Sequence, residues 1–220
     1  MSAFDPTLLL TTLRRELRQA WATVRAGHAA EGLYGFGVYT TDESSYLMVT
    51  AFSEAGLDAA LARCLGGKYG TGKDPEQLRA TLRWSPCDSP LHEIGATLLP
   101  ESDELVQVLD PALADETGND DEDEDDEAFD PRVLKVFELV IQALQEMDAE
   151  GQFGVGAERD ALVLGLWKGD QSNGERYAYA RQLNPVGVAR RFGAEMNTGL
   201  RAYYAAFFAD IEAPEDEVFE

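Results

Sequence analysis

The segment LYGFGVYT (Leu33–Thr40) is rich in the aromatic and β-branched residues that favour β-strands. A short polar turn separates it from SYLMVTAF (residues 45–52), which has the same character. Two such segments on either side of a short turn predict an antiparallel β-hairpin. Because side chains alternate across a strand, Tyr34, Phe36 and Val38 are expected on the core face. The glycines between them fall on the other face, where a helix or a ligand could approach the backbone closely.

The second half of the chain contains a similar pattern. The segments ALVLGLWK (residues 161–168) and RYAYARQL (residues 176–183) lie on either side of the polar stretch GDQSNGE, which predicts a second hairpin. With the helices described next, each half has the order helix, hairpin, helix. The sequence therefore predicts an α+β fold, with an antiparallel sheet of about four to six strands and helices packed mainly on one face.

The starts of the helices are marked by a recurring pair of residues. An Asp or Asn, whose side chain can accept a hydrogen bond from a free backbone N–H, precedes a proline, which has no N–H. This pair predicts four helix N-termini, at Asp5–Pro6, Asp74–Pro75, Asp130–Pro131 and Asn184–Pro185. A shorter helix is predicted over residues 53–65, with Ser53 as its cap.

Negative charge is concentrated in two segments. The 220 residues include 41 acids and 18 bases, which gives a formal net charge of −23. Residues 101–130 hold 15 acids and no base, with eight consecutive carboxylates at residues 120–127, and residues 210–220 hold six acids and no base. The carboxylates in such runs repel one another, and the runs offer no apolar face that could pack against a core. We therefore predict one domain over residues 1–209, built of two helix–hairpin–helix halves with a flexible acidic insert at 101–130, followed by an acidic tail at 210–220.

The charge and the hydropathy pattern also limit the classes of partner. A chain this acidic repels phosphate backbones and anionic lipid surfaces, so neither nucleic acid nor a membrane is expected as a partner. No apolar run reaches the about 20 residues needed to cross a bilayer. The N-terminus lacks the basic and apolar regions of a secretory signal, which predicts a cytoplasmic protein.

The stretch LRWSPCDSPLHEIG (residues 82–95) holds the densest set of reactive side chains. Asp88 and His92 could act together as a general acid and base, and Arg83 could bind an anion. A structural alternative places Trp84 in the core and pairs Arg83 with Asp88 in a salt bridge. Arg83, Trp84, Asp88 and His92 thus form the candidate functional loop, and no catalytic residue is assigned.

Other motifs argue against cofactors and metals. GKYGTGKD (residues 67–74) is close to a phosphate-binding loop, but Asp74 stands where the magnesium-binding hydroxyl should be. With two histidines and two cysteines, no structural zinc site is expected. The acidic run that starts at Asp121 lacks the glycine and glutamate of an EF-hand loop. We expect no cofactor and no metal, and we expect Cys64 and Cys87 to be free, buried thiols.

Five segments, in this order, resemble the bacterial DUF4303 family: LYGFGVYT, YLMVTAFSEAGL, LRWSPCDSPLHE, EGQFGVGAERDALVLGLWKGD and LNP. The family often has a second tryptophan after the aspartate of the third segment, where this chain has Ser89. The resemblance carries over no established catalytic residue. Members of the family are similar to proteins found beside polymorphic or contact-dependent toxins, and this association implies the role of an immunity partner.

These observations favour a non-enzymatic protein-binding module over an enzyme. An immunity-like or antitoxin-like role toward a basic toxin fits the charge, because opposite charges accelerate association. Two alternatives stay open at this point. One is a small-molecule enzyme that uses the loop from Arg83 to Glu93, and the other is an acidic mimic of nucleic acid.

Overall fold

The computed structural model describes residues 4–107, 131–208 and 211–215. These residues form an α+β fold that is mostly helical, with a three-stranded mixed sheet. The strands are β1 (Leu33–Thr40), β2 (Met48–Ser53) and β3 (Val163–Lys168), in the order β2–β1–β3. β1 pairs antiparallel with β2 and parallel with β3. The hairpin predicted from residues 33–52 is confirmed.

The predicted antiparallel sheet of four to six strands is wrong. Residues 163–168 do form a strand, but residues 176–183, which were its predicted hairpin partner, belong to a helix. A capping box starts this helix: the hydroxyl of Ser172 accepts from the N–H of Glu175, while the Glu175 carboxylate accepts from the N–H of Ser172. The second half is therefore a strand followed by a helix, and β3 joins the sheet by parallel pairing with β1.

Helices account for most of the described residues. In chain order they are α1 (Pro6–His28), α2 (Glu54–Gly66), α3 (Pro75–Leu82), α4 (Pro90–Gly95), α5 (Pro100–Gln107), α6 (Pro131–Ala149), α7 (Ala157–Ala161), α8 (Asn173–Leu183) and α9 (Val186–Phe207). Short 3-10 turns occupy Ala29–Glu31 and Pro86–Asp88. None of the helices in the described ranges is long and apolar enough to cross a membrane.

Three of the predicted helix caps are confirmed. The Asp5 carboxylate accepts from the N–H groups of the first turn of α1, Ser53 caps α2 and Asp74 caps α3. The cap predicted at Asp130 lies outside the described residues. The prediction at Asn184 is wrong, because Pro185 occupies the N-cap of α9 and the Asn184 side chain bonds to β3 instead.

Helices cover both faces of the sheet, and not mainly one face as the sequence predicts. Phe36 and Val38 of β1 face a core built with α1 and α6. The opposite face carries a second apolar cluster, which includes Phe52 and Trp167 and is covered by α8 and α9. Tyr34 belongs to this second cluster because the pairing of β1 with β2 shifts register next to it. Both faces are therefore core, as is typical of parallel pairing.

The beginning of the predicted acidic insert is helical. Residues 101–107 lie in α5. The free N–H groups of Glu101 and Ser102 in its first turn donate hydrogen bonds to the buried carboxylate of Glu16 on α1. The rest of the insert, residues 108–130, lies outside the described residues, and it includes the eight consecutive carboxylates. Most of the predicted acidic tail also lies outside the described residues.

Candidate functional site

The glycine face of β1 is covered by aromatic rings. A Cβ atom at Gly35 would lie 2.8 Å from the ring of Phe52 and 2.9 Å from the ring of Trp84, so only glycine leaves room for them. The Trp84 ring also packs against Phe192 of α9, with 4.8 Å between ring centroids. The close approach predicted at these glycines is thus made by side chains of the protein itself, and it fixes Trp84 between the sheet and α9.

Arg83 lies in a network of ion pairs. Its guanidinium donates to Glu54 over 2.8 Å and to Glu195 over 3.1 Å, and it stacks on the Tyr34 ring at 4.3 Å. Burial alone would lower the pKa of Arg83, but the two carboxylates raise it overall. The salt bridge predicted between Arg83 and Asp88 is therefore wrong, since both hydrogen-bonded acids come from other elements.

Asp88 and His92 do not form the predicted acid–imidazole pair. Asp88 accepts from the hydroxyl of Ser85 over 2.7 Å, within its own loop. His92 packs edge-on against Tyr39, with 4.8 Å between ring centroids, and its Nδ1 is buried without a hydrogen-bond partner among the described residues. Burial lowers the pKa of His92, while the nearby Glu93 opposes this shift.

The lowered pKa of His92 predicts a pH-dependent stability. The pKa of this histidine is lower in the folded state than its unfolded value of about 6.5. Its contribution to folding stability is therefore fully present above about pH 6.5 and is lost as the pH falls through the folded-state pKa. We expect the melting temperature to fall more steeply between pH 7.5 and pH 5 in the wild-type protein than in His92→Phe, which keeps the ring contact. Equal slopes in thermal melts of the two proteins would contradict this assignment.

The described residues enclose a cleft of about 330 Å³, which we call the Arg176 cleft. It lies between the end of α3, the turn after Trp84, the start of α8 and one face of α9. Its lining is formed by Ala80, Thr81, Trp84, Ser85, Pro86, Asn173, Arg176, Glu195, Met196, Gly199, Leu200 and Tyr203. Of the predicted functional loop, Trp84 lines this cleft, whereas Arg83, Asp88 and His92 do not.

Arg176 is the unusual residue of this cleft. Its side chain is half-buried, its Nε is fully buried, and within the described part of the chain its guanidinium has neither a hydrogen-bond partner nor an ion pair. Burial lowers the pKa of Arg176, and Tyr39, Cys87 and Glu175 act on it through space and oppose the shift. The carboxylate of Glu175 is held elsewhere, by Lys168 at 3.2 Å and by the N–H of Ser172 at 3.0 Å.

The acid that lines the cleft with Arg176, Glu195, forms its hydrogen bonds with other residues. Glu195 accepts from Arg83 and, over 2.9 Å, from the indole N–H of Trp84, and Arg191 lies 4.0 Å away. Among the described residues, the Arg176 cleft therefore presents one cation whose hydrogen-bond donors have no partner, whereas most other cations are paired with acids.

Sequence reasoning missed Arg176 because it placed this residue at the start of a strand. The signal that could have found it is the Ser172–Glu175 capping box, which predicts a helix and places Asn173 and Arg176 on one helical face. The thiols also differ from expectation: Cys64 and Cys87 are free, but Cys87 is exposed and Cys64 is half-buried. The loop at residues 67–74 ends in the cap of α3, where Lys73 donates to the carbonyl of Ala206.

A family model described as a domain of unknown function (DUF4303) matches residues 13–185. The chain belongs to the DUF4303 family. No curated protein and no solved structure matches the chain. The DUF4303 match includes Trp84 and Arg176 but ends before α9, which supplies the other wall of the Arg176 cleft. The segment that matches the family model thus contributes Arg176, and α9, which follows this segment, completes the cleft.

Proposed function

We propose that this protein is a non-catalytic binding module that holds an anionic group of its ligand in the Arg176 cleft. The observation that carries the proposal is the side chain of Arg176, which lines a cleft, buries its Nε and has no partner among the described residues. Such a group costs folding free energy, and binding an anion would offset this cost. Arginine is also suited to the task because its planar fork binds two oxygens at once.

The surroundings of the cleft support binding over catalysis. The predicted acid and base, Asp88 and His92, lie outside its lining, and within the described structure they form no hydrogen bond with each other. The Ser85 hydroxyl in its wall donates directly to the Asp88 carboxylate, and the cleft lining contains no histidine that could activate this hydroxyl as a nucleophile. The Glu195 carboxylate is occupied by Arg83 and Trp84.

The distribution of charge favours a basic protein as the partner. All 18 bases and 25 of the 41 acids lie among the described residues, so the folded body is only moderately acidic and the strongest surplus lies elsewhere in the chain. Long-range attraction would speed the encounter with a basic protein, such as a toxin that this protein would neutralise. The Arg176 cleft would then hold one anionic group of that partner.

Affinity capture from the native host tests this function. The baits are the wild-type chain, Arg176→Met, and the control Arg190→Met, which removes an exposed arginine of α9 outside the cleft lining. We expect a basic protein in stoichiometric amount with the wild type and the control, and at least about tenfold less with Arg176→Met, as for a desolvated charged contact. Equal recovery with all three baits, or no stoichiometric partner, would contradict the proposal.

A stability measurement gives an independent prediction. In the absence of ligand, we expect Arg176→Met to raise the free energy of unfolding by about 1 kcal/mol, because it replaces a partly buried cation that has no partner among the described residues with an apolar chain. Arg190→Met should change it by less than about 0.5 kcal/mol. Urea unfolding of the three proteins provides the comparison. A destabilised Arg176→Met would show that Arg176 has a structural role instead.

A further inference from the structure

The charged end of the Arg176 cleft fits a single negative charge. Arg176 lies one turn after Asn173 on α8, and the Asn173 side chain likewise has no hydrogen-bond partner in the described ranges. One guanidinium and one amide can surround the two oxygens of a carboxylate. A phosphate dianion carries a second negative charge, which this single cation would leave unbalanced and which the nearby carboxylate of Glu195 would oppose.

The rest of the cleft fits an apolar body. Trp84, which is only 5% exposed, lies in its wall, and Tyr203 of α9 is 40% exposed. Pro86, Met196 and Leu200 complete the apolar part of the lining. A volume of about 330 Å³ is at the lower end of the range of small-molecule sites, which begins at about 300 Å³.

Resting on the proposed function, we infer that the group bound in the Arg176 cleft is a carboxylate carried on a small apolar or aromatic body. Arg176 binds the carboxylate, Asn173 donates to one of its oxygens, and Trp84 and Tyr203 contact the apolar part. Two sources offer this chemistry: a free aromatic acid, or the C-terminal residue of a peptide chain. Both present a carboxylate a few bonds away from the same kind of apolar group.

Titrations followed by NMR test this inference on the full chain. The probes are 3-phenylpropanoate, acetyl-Gly-Phe with a free C-terminus, the amides of both, and inorganic phosphate. The reporter is the indole N–H of Trp84, which lines the cleft and donates to Glu195. We expect at least one of the two carboxylates to shift this resonance saturably, with each amide binding at least tenfold more weakly and phosphate giving no shift.

Three variants assign the effect to the guanidinium. Arg176→Met should abolish the shift, Arg176→Lys should weaken binding because it keeps the charge but loses the fork, and Arg190→Met should bind as the wild type does. Tighter binding of acetyl-Gly-Phe than of 3-phenylpropanoate would identify a peptide C-terminus as the source, and the reverse would identify a small acid. Circular dichroism of each variant shows that it is folded.

Several outcomes would overturn the inference. Equal binding of acid and amide, competition by phosphate, or the absence of any shift with both carboxylates would each exclude a carboxylate ligand. The result is separable from that of the proposed function. If capture of the partner depends on Arg176 while neither acid binds, only the assignment of the ligand fails.

Discussion

Asn184→Ala is expected to lower the free energy of unfolding by about 3 kcal/mol. β3 is an edge strand of the described sheet, and Leu164 within it is fully buried. The Asn184 side chain accepts from the Leu164 N–H over 2.8 Å and donates to the Leu164 carbonyl over 2.7 Å, as a neighbouring strand would. It also donates to the carbonyl of Ala180 over 2.9 Å. Alanine would leave these buried groups without partners.

Urea unfolding measures this loss against two further variants. Gln182→Ala removes an exposed amide that donates only within α8, and it should cost less than about 0.5 kcal/mol. Asn184→Asp keeps an acceptor for the Leu164 N–H but loses both donors, so its stability should lie between those of the wild type and alanine variants. A loss below about 1 kcal/mol for Asn184→Ala would show that water replaces the amide at this edge.

The position of Asn184 connects this edge to the Arg176 cleft. Asn184 follows α8 directly, and α9 begins two residues later. Both helices line the cleft, so the Asn184 side chain attaches the point where they meet to β3 of the sheet. Arg159 strengthens the same junction by donating to the carbonyls of Leu162 and Leu183. The amide also blocks the edge against pairing with another strand. A loss of Asn184 is therefore expected to weaken ligand binding as well as stability.

Local signals in the sequence are sufficient to predict the caps and turns that depend only on residues close together in the chain. The caps at Asp5, Ser53 and Asp74 each bond to an N–H two or three residues ahead, so the residues that form them are adjacent in the chain. The first hairpin also needs only a short turn. Both were predicted correctly because short-range bonds determine them.

Parallel pairing cannot be deduced in the same way. Gly37 pairs with Gly165, and the chain between them has no local pattern that specifies this register. The alternation of apolar residues in 176–183 suggested a strand, whereas the capping box at Ser172 indicated a helix, and the helix formed. Because residues 176–183 are helical, the second hairpin does not form, and Arg176 lies in a helix that lines the cleft.

In the candidate site, too, some features follow from the local sequence and others depend on the tertiary fold. The sequence singled out the Arg83–Glu93 loop by its composition, and Trp84 does reach the cleft. The partners of Arg83 are Glu54 on α2 and Glu195 on α9, which only the tertiary fold brings together. An unpaired arginine can be recognised only after every nearby acid has been assigned to another cation.

Gly37→Ala is expected to be about as damaging as Asn184→Ala, with a loss of about 3 kcal/mol. A Cβ atom at this position would lie 2.8 Å from the carbonyl carbon of Gly165 on the paired strand and 2.7 Å from the ring of Trp167. The backbone of a paired strand cannot move away without breaking its ladder. The Trp167 ring is 1% exposed and packed on Phe52, so it has no space to turn aside.

The matched control is Gly27→Ala near the end of α1, where a Cβ atom meets nothing within 4 Å. This change should leave stability unchanged or raise it by up to about 0.5 kcal/mol, because alanine favours helices over glycine. Thermal and urea unfolding compare the two variants. If Gly37→Ala stays folded, the displaced Trp167 should disturb the ring contacts from Phe52 to Trp84, so the Trp84 indole resonance should shift without any ligand. An unshifted resonance together with wild-type stability would contradict the close packing of rings on these glycines.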